Sequence, residues 1–429
     1  MDRFVIEGGH ALRGEVAVSG SKNATLPIMT AALLAETPSV IYNVPRLRDI
    51  DMMAAVLREL GAAVEMEGAT LRIDPAGFCG TEAPYDIVRK MRASVYVLAP
   101  MLVRLGKARV SLPGGCAIGP RPVDLHLKGL EGLGADVKLE HGYIVAENRA
   151  MKGGEMALTG PSGSSVGATA NTMMAAALTP GTTIIRGAAH EPEIVDLAEF
   201  LKKMGANIEG EGSSKIKIEG VQKLRGVEHS VVPDRIEAGT FFAAAAITEG
   251  DVVVHGARVE HMDAVIDKLG EMGIYVAAEN GSVRVACDGP PRPSPIRTLP
   301  YPGFPTDMQA QFMALLCLAD GVSTVTETIY VERFIHAPEL ARMGARITVS
   351  NGQALIEGVP KLSGAPVMAS DLRASAALVV AGLAAEGITD LHRVYHIDRG
   401  YEQIEQKLAA LGANIRRVSS QRNGMAPGA

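Results

Sequence analysis

A cysteine set among glycines and prolines is placed for chemistry more than for packing. Cys116 stands in Leu112-Pro113-Gly114-Gly115-Cys116-Ala117-Ile118-Gly119-Pro120-Arg121, where five of the eight residues from Pro113 to Pro120 are glycine or proline. That composition predicts a long loop, not a buried niche for a small hydrophobe. A free thiol, with a pKa on the order of 8.5, can give a proton or act as a nucleophile. The competing reading is an incidental thiol. Cations gather at a second kind of position, the segments that open helices. Ser21-Lys22-Asn23, Arg89-Lys90-Met91-Arg92, Asp234-Arg235, Thr306-Asp307 and Asp371-Leu372-Arg373 lie at such starts, and Arg46, Arg48, Arg121, Arg258, Arg333 and Arg399 lie on the approaches to others. In a chain of net charge −6 this concentration predicts a multiply anionic substrate. Guanidinium groups bind phosphate and carboxylate as a fork, and helix N-termini add unpaired N–H groups and a positive dipole end. For any single arginine, pairing with a neighbouring acid, as Arg399 with Asp398, is the alternative. Asp307, following Pro305-Thr306, reads as an N-terminal cap or dipole partner. His126 reads as structural, with a general base as the alternative, and Met173, Met174, Phe241, Phe242 and Cys317 as core. Cys79 and Cys287 carry no role.

The elements that must position these residues are legible as a repeat. Leu60-Gly61-Ala62-Ala63-Val64 recurs as Leu133-Gly134-Ala135-Asp136-Val137, Met204-Gly205-Ala206-Asn207-Ile208, Met272-Gly273-Ile274-Tyr275-Val276, Met343-Gly344-Ala345-Arg346-Ile347 and Leu411-Gly412-Ala413-Asn414-Ile415. The glycines are 73, 71, 68, 71 and 68 residues apart, too long a period for the common solenoids, so each unit is a small α/β module. An Ala/Met/Leu-rich helix (24–35, 94–105, 240–248, 374–385) precedes a strand (182–186, 251–255). An amphipathic helix such as 194–204 follows, stopped by glycine, and two short strands such as 206–209 and 215–219 close the unit. This order implies parallel β-α-β crossovers, with both helix starts of each unit at one end of the module. The segment Phe4-Val5-Ile6-Glu7-Gly8 with Leu12-Arg13-Gly14 is similar to Ile216–Gly220 with Leu224-Arg225-Gly226 and to Ala354–Gly358 with Leu362-Ser363-Gly364. Residues 1–21 are therefore expected to complete the sixth unit. Six units divide as three and three: one domain of residues 22–231, a second of 1–21 plus 232–418, and a polar tail at 419–429. If the domains face each other, the helix starts line one cleft.

Composition removes several classes of function. No block of like charge exists and aromatics are 4% with no Trp, which disfavours nucleic-acid binding and stacking platforms. No signal peptide is visible. The charge-free run 374–385 is shorter than the roughly 18 residues that span a bilayer. Four widely spaced cysteines without a CxxC pair suggest neither a disulfide framework nor a zinc site, and fit a reducing cytoplasm. No Walker loop and no GxGxxG after a strand indicates ATP or NAD.

At Gly20-Ser21-Lys22-Asn23-Ala24, the Pro113–Leu125 cysteine loop, Phe304-Pro305-Thr306-Asp307-Met308-Gln309, Asp371-Leu372-Arg373-Ala374-Ser375 and His396-Ile397-Asp398-Arg399-Gly400, the chain resembles the UDP-N-acetylglucosamine 1-carboxyvinyltransferases. The resemblance runs from Met1 to about Val418. It implies a two-domain inside-out α/β barrel of six β-α-β-α-β-β units, three per domain. It also implies transfer of the enolpyruvyl group of phosphoenolpyruvate to the 3-hydroxyl of UDP-N-acetylglucosamine by addition and elimination, the committed step of peptidoglycan synthesis. Cys116 would be the proton donor, able to form a covalent adduct with phosphoenolpyruvate, and Asp307 the base, with Lys22 and Arg399 also in the catalytic set. Lys22, Asn23, Arg121 and Arg399 would hold the phosphate, and Arg333 and Arg373 would sit near the carboxylate, with Asp371 beside them. Arg92, Arg121, Pro122, Val123, Asp124, Leu125, Asp307 and Ile329 would contact the nucleotide sugar, and Ser164, Ser165, Val166 and Gly167 its diphosphate. Family members often carry a lysine where this chain has Gly163. The resemblance implies no metal and no cofactor and only small-molecule partners; a monomer is expected, with an oligomer as the alternative, and the Gly/Pro content of the Cys116 loop predicts that it closes as a lid when the nucleotide binds. The alternatives are 5-enolpyruvylshikimate-3-phosphate synthase, which uses the same donor, and a sugar-nucleotide-binding protein without catalysis.

Overall fold

Gly61, Gly134, Gly205, Gly273, Gly344 and Gly412 all have positive φ, between 83° and 110°. L side chains enter that region at a cost of roughly 1–2 kcal/mol, so the repeated signature is a set of helix ends turned by glycine. The structure, a computed structural model, describes residues 2–88, 91–112 and 123–419.

Six four-stranded sheets share one strand order. In one, Glu155–Ala157 runs parallel to Thr182–Arg186, which pairs antiparallel with Lys215–Glu219, and that strand pairs antiparallel with Asn207–Glu209. The helix Val166–Leu178 makes the crossover between the parallel pair, and the helix Pro192–Met204 leads into the closing hairpin. This is the β-α-β-α-β-β unit. The first helix of each unit is the core element: Val166–Leu178, Arg235–Ile247 and Leu372–Ala384 are buried on almost every side. Alanine-rich runs without charge read as helices buried all round. Met173, Met174, Phe241, Phe242 and Cys317 are in the core, at most 1% exposed.

These first helices begin earlier than their apolar runs. They are Lys22–Ala31, Leu98–Leu105 after the 3-10 segment Arg92–Val97, Arg235–Ile247 and Leu372–Ala384. At two of them a capping oxygen extends the helix into polar sequence: Ser21 Oγ accepts from Ala24 N, and Asp371 from Arg373 N and Ala374 N. The added first turns are where Lys22, Arg373 and Arg235 lie.

The chain ends divide differently from expectation. Arg3–Glu7 lies between Ile388–His392 and Asn414–Val418, antiparallel to both, and completes the sixth unit's sheet. Arg13–Ala17 does not join it. That strand runs parallel to Asp251–His255 and leads the fourth sheet. The reason lies in the Leu-x-Gly element, which at each of the three matched places precedes a lead strand. Leu12, Leu224 and Leu362 are fully buried just before Arg13–Ala17, Glu228–Ser230 and Pro366–Met368. Glu228–Ser230 in turn runs parallel to Ser39–Tyr42. Two lead strands are thus exchanged relative to the helices that follow them. At the exchange Ser21 N donates to Val232 O (2.7 Å) and Asp234 N to Ser19 O (2.8 Å).

Two compact units result. One comprises Ser19–Asp234 with Leu299–Gly303, the other Met1–Val18, Arg235–Thr298 and Phe304–Ala429. Each holds its own apolar core, running from Ala24 to Val231 in the first and from Phe4 to Ile415 in the second. Among the described residues no helix is long and apolar enough to cross a membrane.

Candidate active site

In the unit built on Arg235–Thr298 and Phe304–Ala429, three helix-start segments converge on Asp307. Its Oδ1 accepts from Arg333 Nη1 at 2.8 Å, and its Oδ2 from Arg373 Nη2 and Nε at 3.0 and 3.2 Å. Arg373 approaches with the fork of its guanidinium, and both arginine side chains are almost wholly buried, at 2% and 5% exposure. Asp307 is the outermost of the three, its side chain 27% exposed. The capping expectation for Asp307 is therefore overturned. The short helix Thr306–Met308 has no side-chain cap, and the carboxylate faces two cations instead. Burial opposes the charge on Arg333, but Asp307 and Asp371 outweigh it and hold its pKa above the ordinary value.

Arg373 is steadied from beneath. Its guanidinium lies 5.3 Å from the centre of the Tyr401 ring, and the Tyr401 hydroxyl is bonded to Thr240 Oγ1 (2.9 Å) and Gln311 Nε2 (3.1 Å). Gln311 Nε2 also donates to Asp307 O at 3.1 Å, tying the 306–308 turn to the same network. Asp371 Oδ1 caps its helix through Arg373 N and Ala374 N at 2.7 and 3.1 Å. Asp371 Oδ2, Ser370 Oγ and His396 Nδ1 are buried and make no hydrogen bond within the described chain. Burial, reinforced by Arg399 and Arg393, lowers the His396 pKa, while Asp371 opposes the shift. Arg399 ends the 3-10 segment Val394–Arg399. Its neighbour Asp398 accepts from Arg417 at 2.5 and 3.1 Å.

The other unit gathers a second group. Lys22 opens the helix Lys22–Ala31, is 9% exposed, and holds Nζ 3.5 Å from Asp49 Oδ2. Its backbone N donates to Asp234 Oδ2 (3.2 Å), so the exchanged strands fix the start of this helix. Asn23 follows it and is half-buried. Val123 precedes the helix Asp124–Gly132, on which Asp124 is exposed and Leu125 half-buried. A Cβ at Gly160 would lie 3.3 Å from Leu125 Cδ1, and one at Gly167 would lie 2.7 Å from the His126 ring. The 123–126 segment is thus packed against both sides of the Ser164–Gly167 turn. Ser164 ends a short strand, Ser165 Oγ caps the helix Val166–Leu178 through Ala168 N (3.3 Å), and Val166 and Gly167 open it. His126 is structural, as expected. It is 7% exposed, with Nδ1 2.8 Å from Asn171 Nδ2, which also donates to Val95 O at 3.1 Å. Gly163 has φ of +99°, and a Cβ there would meet Pro300 Cγ at 2.6 Å, so any side chain at this position is both strained and crowded.

Cys116, Arg121 and Pro122, with the lid expectation, lie outside the described residues, as does the Arg92 side chain. Sequence reasoning missed Asp49 and Glu327. Glu327 is 2% exposed and bonds Ile329 N at 2.8 Å. Its one signal was a glutamate between two threonines at a strand end, Thr326-Glu327-Thr328.

The family model for EPSP synthase (3-phosphoshikimate 1-carboxyvinyltransferase) matches residues 6–408. The solved enolpyruvyl transferase NikO from Streptomyces tendae superposes with a TM-score of 0.89 at 26% identity, over 98% of this chain and 99% of that one. An EPSP synthase from Acinetobacter baumannii gives a TM-score of 0.72 at 19% identity, over 98% and 100% of the two chains, a likeness of fold alone. Fold and site together define a carboxyvinyl transferase. Two curated relatives narrow the class. The UDP-N-acetylglucosamine 1-carboxyvinyltransferase of Trichlorobacter lovleyi is 57% identical over 98% of this chain and 100% of its own length. That of Desulfatibacillum aliphaticivorans is 56% identical over 97% and 100%. The chain belongs to the UDP-N-acetylglucosamine 1-carboxyvinyltransferase family.

Proposed function

We infer that the protein transfers the enolpyruvyl group of phosphoenolpyruvate to the 3-hydroxyl of UDP-N-acetylglucosamine and releases phosphate, the committed step of peptidoglycan synthesis. The observation that carries this reading is the buried Asp307–Arg333–Arg373 cluster in a chain 57% identical to a transferase of that name. Asp307 takes the proton of the 3-hydroxyl as its oxygen attacks C2 of phosphoenolpyruvate, and Cys116 gives a proton to C3. The resulting phospholactyl ketal loses phosphate from C2 and a proton from C3, restoring the vinyl group. Atoms balance with no oxidant or reductant, so the reaction as written needs no redox cofactor. The two guanidinium groups fix the orientation of the Asp307 carboxylate for proton removal concerted with attack. Lys22, Asn23, Arg121 and Arg399 bind the phosphate, and the fixed cations stabilise charge that develops on it. Arg333 and Arg373 lie near the substrate carboxylate, which guanidinium groups bind as a fork. The orphaned oxygens of Ser370 and Asp371 and the His396 nitrogen fit a polar ligand beside Arg399. Ser164, Ser165 and the N–H groups opening Val166–Leu178 serve the diphosphate where Gly163 carries no charge. Arg92, the Arg121–Leu125 segment and Ile329 complete the nucleotide contacts. We place the enzyme in the cytoplasm, as a monomer.

The deciding experiment measures phosphate release from phosphoenolpyruvate with and without UDP-N-acetylglucosamine, for wild type and Cys116→Ala. Acceptor-dependent release that the substitution abolishes is expected. Release that survives it moves the proton donor to another residue. The EPSP synthase match supplies the second reading, and replacing the acceptor by shikimate 3-phosphate separates the two. Only the sugar nucleotide is expected to support turnover.

A further inference from the structure

Glu327 follows the strand Val322–Thr326 and is buried, yet no cation is bonded to its carboxylate in the described chain. Four donors meet it instead: Thr298 Oγ1 (2.7 Å), Ile329 N (2.8 Å) and Tyr330 N (3.0 Å) on Oε1, and Thr306 Oγ1 (2.9 Å) on Oε2. Every one of these bonds has a fixed direction. The two backbone groups are N–H donors. Thr298 Oγ1 already accepts from Thr328 N (2.9 Å), and Thr306 Oγ1 already accepts from Arg333 Nη1 (3.0 Å), so each hydroxyl hydrogen is left for Glu327. A group that must accept four hydrogen bonds and donate none is a carboxylate, and neither a carboxylic acid nor an amide can replace it without a donor facing a donor.

The two oxygens serve different places. Oε1 folds the 327–330 turn, which carries Ile329, one of the residues assigned to the nucleotide sugar. Oε2 reaches Thr306, and through it Arg333, whose same Nη1 holds Asp307 Oδ1 at 2.8 Å. One buried side chain therefore ties the acceptor turn to the base. We propose that Glu327 is a positioning residue that couples the seating of the sugar nucleotide at Ile329 to the orientation of Asp307, through the chain Glu327–Thr306–Arg333. The proposal rests on the transferase reading above for its kinetic consequence, but not for the hydrogen-bond coupling itself. Glu327 acts through Thr306 and the 327–330 turn, and a buried polar network of this kind is felt as a unit.

The test compares wild type with Glu327→Gln, Thr306→Val and the double variant. Glu327→Gln keeps the shape of the side chain and puts an NH2 where only acceptors fit. It is expected to lower kcat at least tenfold and raise the KM for UDP-N-acetylglucosamine severalfold, with the KM for phosphoenolpyruvate within twofold. Thr306→Val cuts the link while leaving the 327–330 turn its own bonds. It is expected to lower kcat, and the double variant to fall short of the product of the two single losses, as coupled residues do. A lowered Tm with both KM values and kcat within twofold of wild type, or losses in kcat that multiply, would overturn the proposal. Amide hydrogen exchange at Ile329 and Tyr330 separates this outcome from failure of the transferase reading. Thr306→Val is expected to speed exchange at both amides at least threefold although it bonds neither, whether or not the protein turns over. Unchanged exchange there would also overturn it.

Discussion

Asp307 shows what single residues disclose in sequence and what they withhold. An aspartate after Pro-Thr at a helix start is indistinguishable from a cap, because a cap is made with neighbours. The partners that decide its role stand 26 and 66 positions away, one in the loop before a helix and one in the first turn of another. Cys116, Lys22 and the arginines stand out in the sequence because their type conflicts with their setting, a thiol among glycines and cations in an acidic chain; of these the structure brings Arg333 and Arg373 together on Asp307. Glu327 does not stand out, since a buried carboxylate bonded only to hydroxyl and N–H groups has no charge pattern to betray it. His336 illustrates a cost of the same cluster. It is 1% exposed, with Nε2 3.1 Å from Met313 Sδ, and it faces Asp371 and Arg333. Burial, with help from Arg333 and against Asp371, lowers its pKa from 6.5 to about 4. The unfolded chain then binds a proton that the folded chain refuses, so stability is full above pH 6.5 and is lost as the pH falls toward 4. The contribution is about 3 kcal/mol over that window. Denaturant unfolding at a series of pH values is expected to show this slope in wild type and a flatter one in His336→Gln; equal slopes would remove His336 as its source.

At the scale of elements, the repeat was readable because each unit stops its second helix in the same left-handed turn. What the pattern could not give was which strand joins which sheet, since a lead strand and a closing strand share the same short alternation of buried and exposed residues. Pairing partners settle that, and they lie outside any local window. The glycines themselves allow a graded test. A Cβ at Gly205 meets nothing within 4 Å, so Gly205→Ala pays only for φ of +110°, about 1 kcal/mol. A Cβ at Gly61 would stand 2.2 Å from Gly77 O, so Gly61→Ala must also displace the loop that packs on it. That variant is expected to cost about 3 kcal/mol or more, strain and overpacking together. Urea midpoints for the two variants check the order, and equal losses would mean that the 77–79 loop yields freely.

The exchange of lead strands gives the whole molecule an asymmetry that neither unit shows by itself. Residues 19–234 contain every strand of their three sheets, because Glu228–Ser230 returns to pair with Ser39–Tyr42 inside the same stretch. Residues 235–419 do not. Their sixth sheet lacks its interior strand Arg3–Glu7, which bonds on both edges, and their fourth lacks Arg13–Ala17. Phe4, Ile6 and Leu12, all fully buried, are missing with them. Losing three large core side chains forfeits on the order of 2 kcal/mol each, and Ile388–His392, Asn414–Val418 and Asp251–His255 each lose a paired neighbour, which invites aggregation. A fragment of residues 19–234 is therefore expected to melt cooperatively when expressed alone, and a fragment of residues 235–419 to show no cooperative transition. A peptide of residues 2–18 added to the second fragment should restore one, because it supplies both strands and all three side chains. Cooperative melting of 235–419 without the peptide would show that the N-terminal strands lie on the fold without completing it, and their place in the sixth and fourth sheets would then be packing and not architecture.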